Sequence, residues 1–82
     1  MIRIDTHFTA AAFMTPEIAA ALANAASRFN ARISLVRGGI SLAADSIIGV
    51  VSMKLTRGDE LTVEAEGAEE KAAAEAIVKI LL

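Results

Sequence analysis

The strongest constraint on the fold is a strict alternation at the start of the chain. Ile2, Ile4, Thr6 and Phe8 alternate with Arg3, Asp5 and His7. A period of two sends successive side chains to opposite faces, so residues 1–8 read as a strand with one buried face. A strand cannot bury a face alone, and the same alternation returns at Leu61, Val63 and Ala65 against Thr62, Glu64 and Glu66. Between them Ile33 and Leu35, then Ile40 and Leu42, form two short alternating runs joined by Gly38-Gly39. That glycine pair tolerates the positive φ of a tight hairpin turn.

The rest of the chain has helical spacing. Thr15-Pro16-Glu17 supplies a hydroxyl cap, a proline suited to the first helical position and an acid at the positive helix end. The helix it opens at Pro16 carries the stripe Ile18, Leu22, Ala25, Ala26, Phe29 and ends near Arg28. Ser46 opens Ile47-Ile48-Gly49-Val50-Val51-Ser52-Met53. This glycine-interrupted segment suits two helical turns capped by the serine. Arg57-Gly58-Asp59 is a turn, and Gly67 stops the last strand. From Ala68 the spacing of Ala73, Ile77, Ile80 and Leu81 predicts a final helix, with Glu75 and Lys79 paired on its exposed side. The order β-α-β-β-α-β-α implies an α+β open-faced sandwich, with a four-stranded antiparallel sheet and three helices on one face.

Composition narrows the function classes. With 82 residues the chain is expected to be one domain, 1–82, with one core. Its 55% hydrophobic content argues against disorder. The lack of cysteine leaves no disulfide framework and suits a cytoplasmic protein. The first residues lack the basic start and apolar run of a secretory signal. The uncharged, alanine-rich stretch Ile18–Ser27 is about half of what a bilayer span needs. Net charge is −2, and acids gather late, at Asp59, Glu60, Glu64, Glu66, Glu69, Glu70 and Glu75. No basic stripe is available to a phosphate backbone, so nucleic acid is not an expected partner. No spacing of His, Asp or Glu suggests a metal site, and no cofactor is indicated. His7, the sole histidine, lies on the polar face of the first strand and reads as a solvent-facing residue.

The second half of the chain resembles the HPr family, small phosphocarriers of bacterial sugar phosphotransferase systems. The resemblance is carried by Asp45-Ser46-Ile47-Ile48-Gly49-Val50-Val51-Ser52-Met53, by Leu55-Thr56-Arg57-Gly58-Asp59, and by Leu61-Thr62-Val63-Glu64-Ala65-Glu66-Gly67 with Glu69-Glu70. The family text runs close to K-S-I-M-G-V-M-S-L, a glycine turn, and a strand ending A-E-G. With the serine aligned the whole chain overlays without a gap. Family carriers hold their active histidine in a G-L-H-T-R-P-A segment, and here the stretch reads Phe13-Met14-Thr15-Pro16-Glu17-Ile18. The resemblance thus puts Thr15 at the histidine's place and Glu17 where the family has an arginine. Superposing the prolines would put Phe13 there instead, and neither alignment gives an imidazole beside a cation.

The resemblance accordingly implies a member without phosphohistidine, similar in kind to the Crh proteins, that catalyses nothing by itself and works by docking. Ser46 matches the serine that a kinase phosphorylates in the family, although Asp45 stands where lysine is usual; a plain helix cap is the other reading. The docking surface it implies comprises Phe13, Met14, Glu17, Ala20, Ile47, Ile48 and Val51. Expected partners are phosphotransferase-type proteins, a kinase acting on Ser46, a transcriptional regulator, or weakly a second copy. Two alternatives stay open: a working phosphocarrier with an atypical acceptor, and a structural paralogue that is never phosphorylated.

Overall fold

In the computed structural model, which describes Met1–Leu82, the chain runs β1 (Ile2–His7), α1 (Pro16–Ser27), β2 (Arg32–Arg37), β3 (Ile40–Ala43), α2 (Ile47–Ser52), β4 (Glu60–Glu66) and α3 (Glu70–Leu81). This is the α+β order read from the sequence. The four strands form one antiparallel sheet in the order β1-β4-β2-β3. The last strand therefore enters between the first two. Val63 lies opposite Ile4 on one side and Leu35 on the other.

The alternation sorts the two faces. Ile33, Leu35, Leu61, Val63 and Ala65 are buried under the helices, while Arg3, Asp5 and His7 point to solvent on the open face. Helix α3 lies across β1, β4 and β2, α2 lies on β3, and α1 packs against both helices. Phe8, Leu22, Val50, Leu55, Ile77 and Leu81 complete a single core with those strand residues. Burying each large aliphatic or aromatic side chain stabilises the fold by about 1.5–3 kcal/mol.

Local differences from the sequence reading have physical causes. The buried stripe of α1 is Ala19, Leu22 and Ala25, with Ile18, Ala26 and Phe29 only half-buried. Small residues on that line let α1 approach its neighbours closely. The last helix begins at Glu70 rather than Ala68. Glu69 turns its carboxylate to the Asn30 N–H at 2.8 Å, and Gly67 takes φ +146° where the chain passes the Asn30–Ala31 backbone. Phe8 lies beyond β1, yet its N–H donates to Asp59 O at 2.9 Å and its carbonyl accepts from Gly58 N at 2.7 Å. At the β2–β3 hairpin only Gly38, the first central residue, has positive φ, +60°. That is the signature of a type II′ turn.

Candidate functional site

The entrance of α1 is built by the cap predicted for it. Thr15 is extended, with φ −113° and ψ 158°, and its Oγ1 accepts from Ile18 N at 3.2 Å. Pro16 follows as the first helical residue, and Glu17 sits exposed in the first turn. The helix there has unpaired N–H groups and a positive end, which a carboxylate complements.

The segment leading into this entrance is fixed by the turn that follows α2. Arg57 N donates to Ala12 O at 3.0 Å, Met14 N donates to Leu55 O at 2.8 Å, and Phe13 bridges to Thr56. Asp59 holds that turn closed. Its Oδ2 accepts from Thr56 N at 2.9 Å and Thr56 Oγ1 at 3.1 Å, and lies 3.3 Å from Arg37 Nη2. The Thr56 backbone N–H, opposed in part by desolvation and helped by the Thr56 hydroxyl and Arg37, holds the Asp59 carboxyl below its ordinary range. Local sequence marks Arg57-Gly58-Asp59 only as a turn. A Thr followed three residues later by Asp around a glycine was the available signal.

The second helix entrance is Ser46. Its Oγ accepts from Gly49 N at 3.2 Å, and its backbone carbonyl accepts from Val50 N at 2.9 Å. Gly49 gives this hydroxyl its room, since a Cβ there would stand 2.9 Å from Ser46 Oγ. Val50 is wholly buried, as its position on a two-turn helix requires. Its neighbours are not: Ile47 is 41% and Ile48 85% exposed, and Phe13, bridged to Thr56 in the turn that follows α2, is 66% exposed. Val51 and Ala20 are half-buried and Glu17 is exposed. Most of the residues expected to dock therefore lie on the packed helices α1 and α2 and on the strap that leads into α1 and pairs with the 55–59 turn.

Met14 is the correction. Only 8% of it is exposed, and it belongs to the core. The backbone bond from its N–H to Leu55 aligns the strap with the 55–59 turn, so Phe13 points out and the next residue in. His7 lies elsewhere: on the open face of the sheet, its Nε2 3.5 Å from Glu60 Oε1 and more than half exposed. The helices and Thr15 are on the opposite side.

Chemically, both helix entrances carry a hydroxyl that already accepts a backbone N–H, and an apolar ledge rims them. Such a ledge excludes water on contact and suits association with a protein surface.

Comparison with known proteins agrees with this architecture. The family model described as PTS HPr component phosphorylation site matches residues 14–82. The phosphocarrier protein HPr of Treponema pallidum (strain Nichols) is 45% identical over 62 residues, covering 76% of this chain and 70% of that protein. Among solved structures, the phosphocarrier protein HPr of Bacillus anthracis superposes with a TM-score of 0.91 at 25% identity, covering 99% of this chain and 96% of the other. Crh of Bacillus subtilis superposes with a TM-score of 0.78 at 27% identity, covering 99% and 86%. Taken with the strand order and the two capped helices, the match from residue 14 onward establishes that this chain belongs to the HPr family.

Proposed function

We propose that this chain is a protein-docking and regulatory module of a phosphotransferase-related system and that it performs no phosphohistidine transfer. The observation that carries the proposal is the α1 entrance. Thr15 Oγ1 is engaged as a helix cap with Ile18 N at 3.2 Å, Glu17 is the charge beside it, and the one imidazole lies across the sheet. A phosphoryl carrier needs a nucleophile that titrates near neutrality next to a cation. A threonine hydroxyl next to a carboxylate offers neither, and the carboxylate repels an arriving dianion.

What remains on this side is the ledge of Phe13, Ile47 and Ile48 with Val51, Ala20 and Glu17 around it. On this reading the ledge is the docking surface, and Ser46 is the position at which docking is switched. A phosphate on Ser46 would meet free N–H groups at the start of α2 and place a double negative charge beside Ile47 and Ile48. Asp45, exposed next to it, would oppose that charge.

The names of the relatives favour a second reading, a phosphocarrier with an atypical acceptor. Incubation with Enzyme I, phosphoenolpyruvate and labelled phosphate separates the two. No acid-labile label is expected on this protein; stable incorporation of such label would overturn the proposal. The docking half is tested with Ile48→Glu. At 85% exposure the change leaves the circular dichroism spectrum and melting temperature near wild type, within about 0.5 kcal/mol. Recovery of phosphotransferase components is expected to be lost, because a carboxylate would be buried at the centre of the contact. Unchanged recovery by the folded variant would place the docking surface elsewhere.

A further inference from the structure

The sheet has two free edges, and they differ. β1 forms one and β3 the other. Along β1 the charged Arg3 and Asp5 and the polar His7 recur at alternate positions, and Arg3 and Asp5 are engaged across the open face with Glu64 and Thr62. Charges of this kind blunt an edge against further pairing. β3 reads Ile40-Ser41-Leu42-Ala43, with no charge, proline or bulge, and with Ile40 58% exposed.

The register fixes which β3 groups are free. Arg37 lies opposite Ile40 and Leu35 opposite Leu42, and Ala44 N donates to Ile33 O at 3.0 Å. In an antiparallel ladder hydrogen-bonded and non-bonded pairs alternate. Ile40 and Leu42 thus turn their N–H and C=O groups to β2, and Ser41 and Ala43 turn theirs outward. The Ala43 carbonyl accepts from Ser46 N at 3.1 Å. The N–H and C=O of Ser41 and the N–H of Ala43 face solvent, where a further strand would sit.

We propose that the β3 edge is a pairing surface for a second copy of this chain, forming a weak two-fold dimer whose sheets join antiparallel through Ser41. With Ser41 opposite Ser41, each donates to and accepts from the other. Ala43 N–H then meets the Gly39 carbonyl of the opposite copy. The pattern is self-complementary, as a two-fold interface requires. The same register carries Asp45 of one copy toward the Gly38-Gly39 turn of the other. There Arg37, 41% exposed and already paired with Asp59 at 3.3 Å, lines a shallow groove of about 400 Å³ with Ile40 and Met53. Asp45 has no ion-pair partner of its own within the chain, so in the dimer it would share the exposed side of the Arg37 guanidinium with Asp59 of that copy. A net charge of −2 per copy adds little repulsion. Four residues of edge pairing bury less than the roughly 1,200 Å² of a stable complex, so the dimer is weak and exchanges rapidly.

The test combines sedimentation equilibrium with amide exchange by NMR, from micromolar to millimolar concentration. The wild type is expected to dimerise over that range, and the Ser41 and Ala43 amides to become protected as it does. Ile40→Lys puts a charge on the edge, and Ser41→Pro removes the outward donor without touching the bonds to β2; both are expected to abolish dimerisation while each variant stays folded. Should the proline disturb the hairpin, Ile40→Lys decides alone, since Ile40 is exposed. Ile48→Glu is expected to leave the dimer intact, which separates this surface from the docking ledge. A wild type that remains monomeric at millimolar concentration would overturn the proposal. So would a dimer that survives Ile40→Lys, as one formed by strand exchange would, or one abolished by Ile48→Glu.

Discussion

Replacing Thr15 by alanine tests whether the residue at the α1 entrance is a structural cap. The hydroxyl makes one bond, to Ile18 N at 3.2 Å, and Thr15 is half-buried. Loss of such a cap costs 0.5–2 kcal/mol across known cases, and water can reach this N–H in its place, so about 1 kcal/mol is expected. For a domain of this size that lowers the melting temperature by about 4–8 °C. Thr15→Ser retains the oxygen and is expected to stay within a degree or two of wild type. Differential scanning calorimetry of the three proteins at neutral pH measures the effect. Equal losses in both variants would show that the threonine methyl, by packing, is what matters. No loss in Thr15→Ala would mean that α1 does not depend on this oxygen, and the structural account of its position would fail.

Gly67→Ala is expected to be more damaging, because its Cβ would lie 2.7 Å from Asn30 O and 2.8 Å from Ala31 Cα, both backbone atoms, at φ +146°. Strain and crowding of this kind cost about 1–3 kcal/mol, readable as a lower urea midpoint; an unchanged midpoint would refute the tight passage. Asp59 predicts a pH effect. Its folded-state pKa is depressed, so its stabilisation is fully present above the unfolded value near 3.9 and fades as pH falls below that toward the folded value. Asp59→Asn is therefore expected to flatten the acid limb of stability below about pH 4, and an acid limb identical to wild type would remove Asp59 from the account.

The elements legible in the sequence were those set by neighbours in the chain. The alternation of Ile2, Ile4 and Thr6 gave a strand, Gly38-Gly39 a hairpin, and Thr15 and Ser46 two caps, because a side chain within three residues decides each. What depended on distant partners was not legible from periodicity. Nothing local tells that β4 enters between β1 and β2, or that Met14 turns inward because its N–H pairs with Leu55. The ledge was half legible: Val50 had to face the core of a two-turn helix, which left Ile47 and Ile48 outside. The free edge of β3 was not, since an edge exists only once strand order is known.

That strand order also governs how the chain acquires its structure in time. The β2–β3 hairpin closes through residues that are near in sequence, whereas β1 pairs only with β4, joining Ile4 to Val63 and Ile2 to Ala65. Contacts of such separation make a chain fold slowly, because a long loop must close before they form. During synthesis β1 emerges long before β4, the strand it pairs with. Its apolar side, Ile2, Ile4 and Phe8, stays uncovered until α3, the helix that packs over β1, has been made. The charges of Arg3 and Asp5 on the other side then protect a segment that waits exposed during translation, besides guarding the edge of the finished sheet.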